Sequence, residues 1–149
     1  MTVRVRPALA SDVHSVVNEL SSISRCELRT VGVGLQDAEE AAHRGIANGV
    51  ALAGEVDGRA AFLFWFYPTV GATPTFFLSS PLYFQKPTAL MFLSRRVLRE
   101  CAEAYPKAIF VSHTFSSHPD VGRWFKLLGF KECRDTTPGE GKVFEYRAS

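Results

Sequence analysis

Apolar residues alternate with arginine at the start of the chain, Val3 and Val5 against Arg4 and Arg6, until Pro7 breaks the alternation. A period of two predicts a short strand over residues 3–9, and the proline places it near a sheet edge, where a missing N–H is tolerated. The period then changes. Val13, Val16, Val17 and Leu20 recur every three or four positions, predicting a helix with Ser11 as N-cap, Asp12 in its first turn and one buried face. Residues 21–34 carry no clear period and read as a loop with Arg25, Arg29, Gly32 and Gly34. Helical spacing returns with Leu35, Ala38, Ala42 and Ile46, and Gly49 is placed to end that helix after Asn48.

Residues 50–56 and 59–67 flank Asp57-Gly58, the pair that suits a two-residue type I′ hairpin turn. The second of these strands reads AAFLFWFY. Phe62, Phe64 and Phe66 point one way and Leu63, Trp65 and Tyr67 the other, so it belongs in the middle of a sheet covered on both faces. Residues 68–74 form a loop, residues 75–78 an apolar strand, and Ser79 to Pro87 a turn-rich connection into a helix over residues 88–104. On that helix Ala89, Phe92, Leu93, Val97 and Cys101 make an apolar stripe, while Arg95, Arg96, Arg99, Glu100 and Glu103 face outward. Arg96 with Glu100 and Arg99 with Glu103 stand four apart and read as solvated ion pairs. Residues 108–114 form a further strand, Pro119 opens a helix closed by Gly129, and residues 130–134 and 142–147 are two last strands joined by TTPGEG.

The composition narrows the function classes. A chain of 149 residues, 46% hydrophobic and 21% charged, fits one globular domain with a sizeable core. A net charge of +2 lacks the dense basic face that nucleic acid demands, so no nucleic-acid partner is expected. Cys26, Cys101 and Cys133 are an odd number at no metal-like spacing, which points to a reducing, cytoplasmic setting. The start of the chain has no signal-like apolar core, and no run approaches the roughly 18 residues that span a bilayer, so no membrane partner is expected either. The run VGVGLQD offers only the opening of a dinucleotide fingerprint, with no strand before it and Asp37 where the third glycine belongs.

The order of elements, with the opening VRPALASDV, the hairpin at Asp57-Gly58 and the closing WFKLLGFKE, resembles the GNAT superfamily of N-acetyltransferases over nearly the whole chain. More narrowly, PTFFL, FLSRRVL, AYP and RWFKLLGF resemble small GNAT-like proteins encoded by podoviruses, some of them described as small internal virion proteins. The resemblance implies an α/β (α+β) fold in one domain over residues 1–149, with a central mixed sheet of about six to seven strands flanked by about four helices. It implies acetyl-CoA or CoA as the cofactor. Leu78, Ser79 and Ser80 take the pantetheine arm with their backbone, and the family's pyrophosphate loop falls on Gln85, Lys86, Pro87, Thr88, Ala89 and Leu90, where both of its small-residue positions are replaced. The tyrosine that commonly acts as general acid in the family corresponds to Phe125, and an asparagine ahead of that helix corresponds approximately to His118.

Independently of the resemblance, a strand feeding a helix presents unpartnered N–H groups and a positive dipole end to an anion, which makes the junction over residues 78–89 the first candidate site. Acyl transfer to an amine needs a proton acceptor and a proton for the departing thiolate. His113 and His118 are the candidate proton carriers and Glu55 a second base, and Tyr83 and Tyr146 are candidates for the missing phenol. His113, His118 and Asp120 make no clean ligand set, and no metal is assigned. Two function classes follow. One is an acetyltransferase acting on a primary amine of a host protein or small metabolite. The other is a GNAT-fold protein without catalysis that binds a host or virion partner; self-association is open in both.

Overall fold

The computed structural model describes residues 2–85, 87–114, 119–133 and 141–147. In chain order it runs β1 (Val3–Pro7), α1 (Ala10–Asn18), α2 (Ser22–Thr30), α3 (Leu35–Asn48), β2 (Val50–Val56), β3 (Arg59–Phe66), β4 (Gly71–Ser79), α4 (Leu82–Gln85), α5 (Pro87–Ala104), β5 (Ala108–Thr114), α6 (Pro119–Leu128), β6 (Lys131–Glu132) and β7 (Lys142–Tyr146). The seven strands form one mixed sheet in the order β1-β2-β3-β4-β5-β7-β6. Every neighbouring pair is antiparallel except β4 with β5.

The predicted hairpin forms around Asp57 and Gly58, whose φ angles of 49° and 81° are the two positive values a type I′ turn requires. From it emerges β3, buried along residues 60–66. Its alternation divides the core. Phe62, Phe64 and Phe66 enter a cluster with Leu90, Val97, Phe110, Phe125 and Phe144 under α5 and α6, whereas Leu63 and Trp65 pack with Val13, Val16, Val17 and Ala42 under α1 and α3. Burying such side chains on both faces, at roughly 1.5–3 kcal/mol each, is what makes β3 an interior strand covered on both sides.

Several local expectations shift. The first helix begins at Ala10, because the Asp12 carboxylate reaches back to the Leu9 N–H at 2.7 Å and caps the helix from inside. Residues 22–30 are a helix rather than a loop, with the Ser21 hydroxyl accepting the Ser24 N–H. The fourth strand begins at Gly71, inside the segment expected as loop. On α5 the buried stripe is Leu90, Leu93, Ser94, Val97, Leu98 and Cys101, and Phe92 lies off it at 64% exposed. Arg96 and Glu100 approach to 3.8 Å, but Arg99 and Glu103 form no ion pair. The turn expected over TTPGEG lies almost wholly outside the described residues, as do Lys86 and His118. Among the described residues no helix is long and apolar enough to cross a membrane.

Candidate functional site: a wedge between two parallel strands

The parallel pairing of β4 with β5 stops early. Residues 71–74 of β4 pair with residues 108–111 of β5, the last pair being Pro74 with Val111. Beyond it each strand follows its other neighbour: Thr75 to Ser79 stay with β3, and Ser112 to Thr114 stay with β7. The two strands therefore part and leave a wedge that opens toward their C-terminal ends. Its narrow end is closed by the Thr75 hydroxyl, which donates to the Val111 carbonyl at 3.1 Å.

One wall of the wedge is the free edge of β4. The Ser79 N–H donates to the Ser24 hydroxyl at 3.0 Å and its carbonyl accepts the Ser21 N–H at 2.8 Å, so the Ser79 backbone turns away from β3. Strand backbones alternate with a period of two, so the N–H and C=O of Phe77 turn the same way, into the wedge. Among the described residues no strand stands opposite these peptide groups.

Aromatic side chains fill most of the space. The Trp124 ring of α6 lies 4.9 Å from the Phe77 ring, and its indole N–H donates to the Tyr83 hydroxyl at 3.0 Å. Tyr83 donates onward to Ser94 at 3.4 Å, and Ser94 to the Leu90 carbonyl at 2.7 Å. Every polar atom of this chain is thus used inside the fold. Burial raises the Tyr83 phenol above its ordinary pKa, and the bonds from Ser94 and Trp124 counteract only part of that rise. What remains between Phe62, Thr75, Phe77, Ser112 and Trp124 is an apolar cavity of about 30 Å³. That is room for about one water, not for a ligand arm.

The wide end is bridged by α2. Its start is tied to β4, where the Ser79 hydroxyl meets those of Ser21 at 2.8 Å and Ser24 at 3.2 Å. Its later half is tied to β5, where the Glu27 carboxylate accepts the Thr114 hydroxyl. Sequence reasoning missed these residues because the polar pattern of α2 hides its packing. The signal that was present is Ser21 followed three residues later by Ser24, a capping arrangement at a helix start.

The expected cofactor residues divide between two ends of the α4 connection. Ser79 and Ser80 close β4, but the Ser80 N–H is already given to Ala61 at 2.9 Å, and Leu78 is buried on the opposite face of the sheet. Thr88 and Ala89 lie in the first turn of α5, just after Pro87, and Gln85 is exposed at the end of α4. Among proton carriers, His113 sits on β5 at the wedge, exposed, one residue before Thr114, so alternation aims it at the face opposite Ser112 and Thr114. Glu55 does not join this group. It is on β2, two strands away from β4, with its carboxylate held by Arg4 and by Arg6 at 2.8 Å. Those hydrogen bonds, from Arg6 first and Arg4 second, hold it below the usual carboxylate range, which makes it an anchor of the sheet edge and a poor base. Phe125 is a core residue, stacked on Phe144 at 4.6 Å. The described residues contain no cluster able to hold a metal ion.

No protein-family model matches the chain, and no curated protein sequence matches it. Its fold, however, is shared with many solved structures. The GNAT domain of S. lividans PAT superposes with a TM-score of 0.70 at 16% identity, over 98% of this chain and 90% of that one. The protein yncA from Salmonella typhimurium, solved with its cofactor acetyl-CoA, gives 0.67 at 14% identity over 100% and 95%. A GNAT superfamily phosphinothricin acetyltransferase from Sinorhizobium meliloti, in complex with acetyl-CoA, gives 0.62 at 12% identity over 100% and 90%. The fold is therefore that of the GNAT acetyltransferases.

Proposed function

We propose that this chain is an N-acetyltransferase that uses acetyl-CoA and acetylates a primary amine. The observation that carries the reading is the parting of β4 from β5 beside the start of α5, in a fold shared with acetyltransferases that hold acetyl-CoA. The backbone suits such a cofactor. The free edge at Phe77 offers one donor and one acceptor to the amides of a pantetheine arm, and the first N–H groups of α5, at Thr88 and Ala89, offer an anion site at the positive end of the helix. Gln85, Ser79 and Ser80 border the route between them.

Bound there, the cofactor would supply an acetyl thioester, whose carbonyl carbon takes the amine's electron pair while the C–S bond breaks and its pair leaves on sulfur. His113 is the residue we assign to the amine's proton, because it is exposed on the face of β5 that α5 and α6 leave open. Phe125 has no proton to give, so the sulfur is left to solvent. The acceptor we propose is an amine on a host protein or a small metabolite, in a chain encoded by a bacteriophage. The aromatic filling of the wedge and the phenyl ring at residue 125 favour a second reading, a non-catalytic member of the fold that binds a host or virion protein.

Calorimetric titration with acetyl-CoA and with CoA separates the two. Micromolar binding, about 8 kcal/mol, that Thr88→Glu removes by placing a carboxylate at the anion site supports the enzyme. No heat of binding up to millimolar ligand would sink it in favour of the binding protein. If binding is found, His113→Ala is expected to lower turnover with CoA affinity unchanged, and undiminished turnover would remove His113 from the reaction.

A further inference from the structure

We infer that Trp124 is a gate on the wedge: it occupies the space beside the free edge of β4, and an acyl-carrying thiol arm enters only when the Trp124–Tyr83 hydrogen bond opens. This rests on the reading of the wedge as the seat of that arm. Three observations lead to it. The indole covers the ring of Phe77 at 4.9 Å, the residue whose peptide groups would bind an extended arm. Its N–H is latched to Tyr83 on α4, the element that joins the end of β4 to the start of α5, so the latch ties α6 to the connection between the wedge and the anion site. With the latch closed, the cavity beside the Phe77 and Trp124 rings measures about 30 Å³.

Trp124 is also the residue on α6 that can leave. Val121, Phe125 and Leu128 are buried and hold the helix to the core, while Trp124 is only half-buried. An outward turn of its side chain therefore empties the wedge without moving α6. The phenol that it leaves keeps a partner in Ser94, and the indole N–H gains water. A ligand that binds only when the gate is open pays for the closed population in its apparent affinity, so weakening the latch must tighten binding. A ligand without the arm, held at the start of α5 alone, must be indifferent to it.

The test uses intrinsic fluorescence, since the chain has two tryptophans and Trp65 is buried on the other face of the sheet, stacked on Phe76 at 5.4 Å. Addition of CoA is expected to change the indole emission with the same midpoint that calorimetry gives. Trp124→Phe abolishes that change, and adenosine 3′,5′-bisphosphate, which lacks the arm, does not produce it. Tyr83→Phe removes the acceptor oxygen alone and is expected to tighten CoA several-fold while leaving the bisphosphate unchanged, with circular dichroism confirming that the variant is folded. Binding of CoA without an emission change, or with equal affinity in Tyr83→Phe, overturns the gate and leaves the acetyltransferase reading standing. Binding of CoA to neither the wild type nor Trp124→Ala overturns both, whereas binding to Trp124→Ala alone is the gate at its strongest.

Discussion

At the scale of single residues, charge placement decides between chemistry and architecture. Glu55 and His113 are both ionisable groups near strand ends, but Glu55 is buried and His113 exposed. Glu55 is ringed by guanidinium groups, and Arg6 continues the chain to Asp12, its two Nη atoms 2.7 and 2.8 Å from the carboxylate oxygens. Burial pushes Asp12 up, but the hydrogen bonds from Arg6 and Leu9 outweigh it and hold its carboxyl below the ordinary value. Both carboxylates thus have folded pKa values below their unfolded ones. The stability they contribute is present above the unfolded values, near pH 4, and is lost as the pH falls through the lowered ones. Glu55→Gln is accordingly expected to be less stable at neutral pH and to lose less on acidification. Denaturant melts of both proteins at pH 7, 5, 4 and 3 check this, and parallel acid profiles would show that the cluster is energetically idle.

At the scale of elements, the chain announced those whose packing is periodic and concealed the one whose packing is polar. The hairpin and β3 follow from Asp57-Gly58 and the unbroken apolar run, and α3 from Leu35, Ala38 and Ala42. The second helix was illegible because its ties are hydroxyls and a carboxylate, Ser21, Ser24 and Glu27, which meet partners 55 to 87 residues away. No local pattern encodes such a contact. Gly45 is a related case. It lies inside α3, where alanine is intrinsically favoured by about 1 kcal/mol, yet a β-carbon there would sit 2.4 Å from the Trp65 ring. That ring is wedged between α3 and Phe76 and has nowhere to go. Overpacking at roughly 1–3 kcal/mol should win over the propensity gain, so Gly45→Ala is expected to melt a few degrees lower. A thermal melt that rises instead would mean that Trp65 has room to repack.

At the scale of the whole molecule, the sheet is two sheets joined along a short seam. Strands β1 to β4 are continuous through β3, strands β5 to β7 form a second unit, and among the described residues four parallel residue pairs, the Gly71–Lys107 and Thr75–Val111 bonds and the bridging α2 stitch them. The order of elements was legible enough to suggest the fold, because strand and helix periods survive in the sequence. The wedge was not, because where two strands part depends on which neighbour holds each of them, and the aromatic latch across it joins residues 83 and 124 from different elements. This geometry makes a direct prediction for one amide. Phe77 stands opposite Phe64 in the register of β3 and β4, yet by the alternation of an antiparallel ladder its own N–H faces the wedge. Native-state hydrogen exchange should find the Phe77 amide fast in the free protein, in contrast with Phe64 at the centre of β3, and slowed when CoA is added, because the ligand supplies the missing acceptor. An amide already as protected as that of Phe64 without ligand would mean that the free edge of β4 is closed in solution, and with it the backbone argument for a cofactor in the wedge.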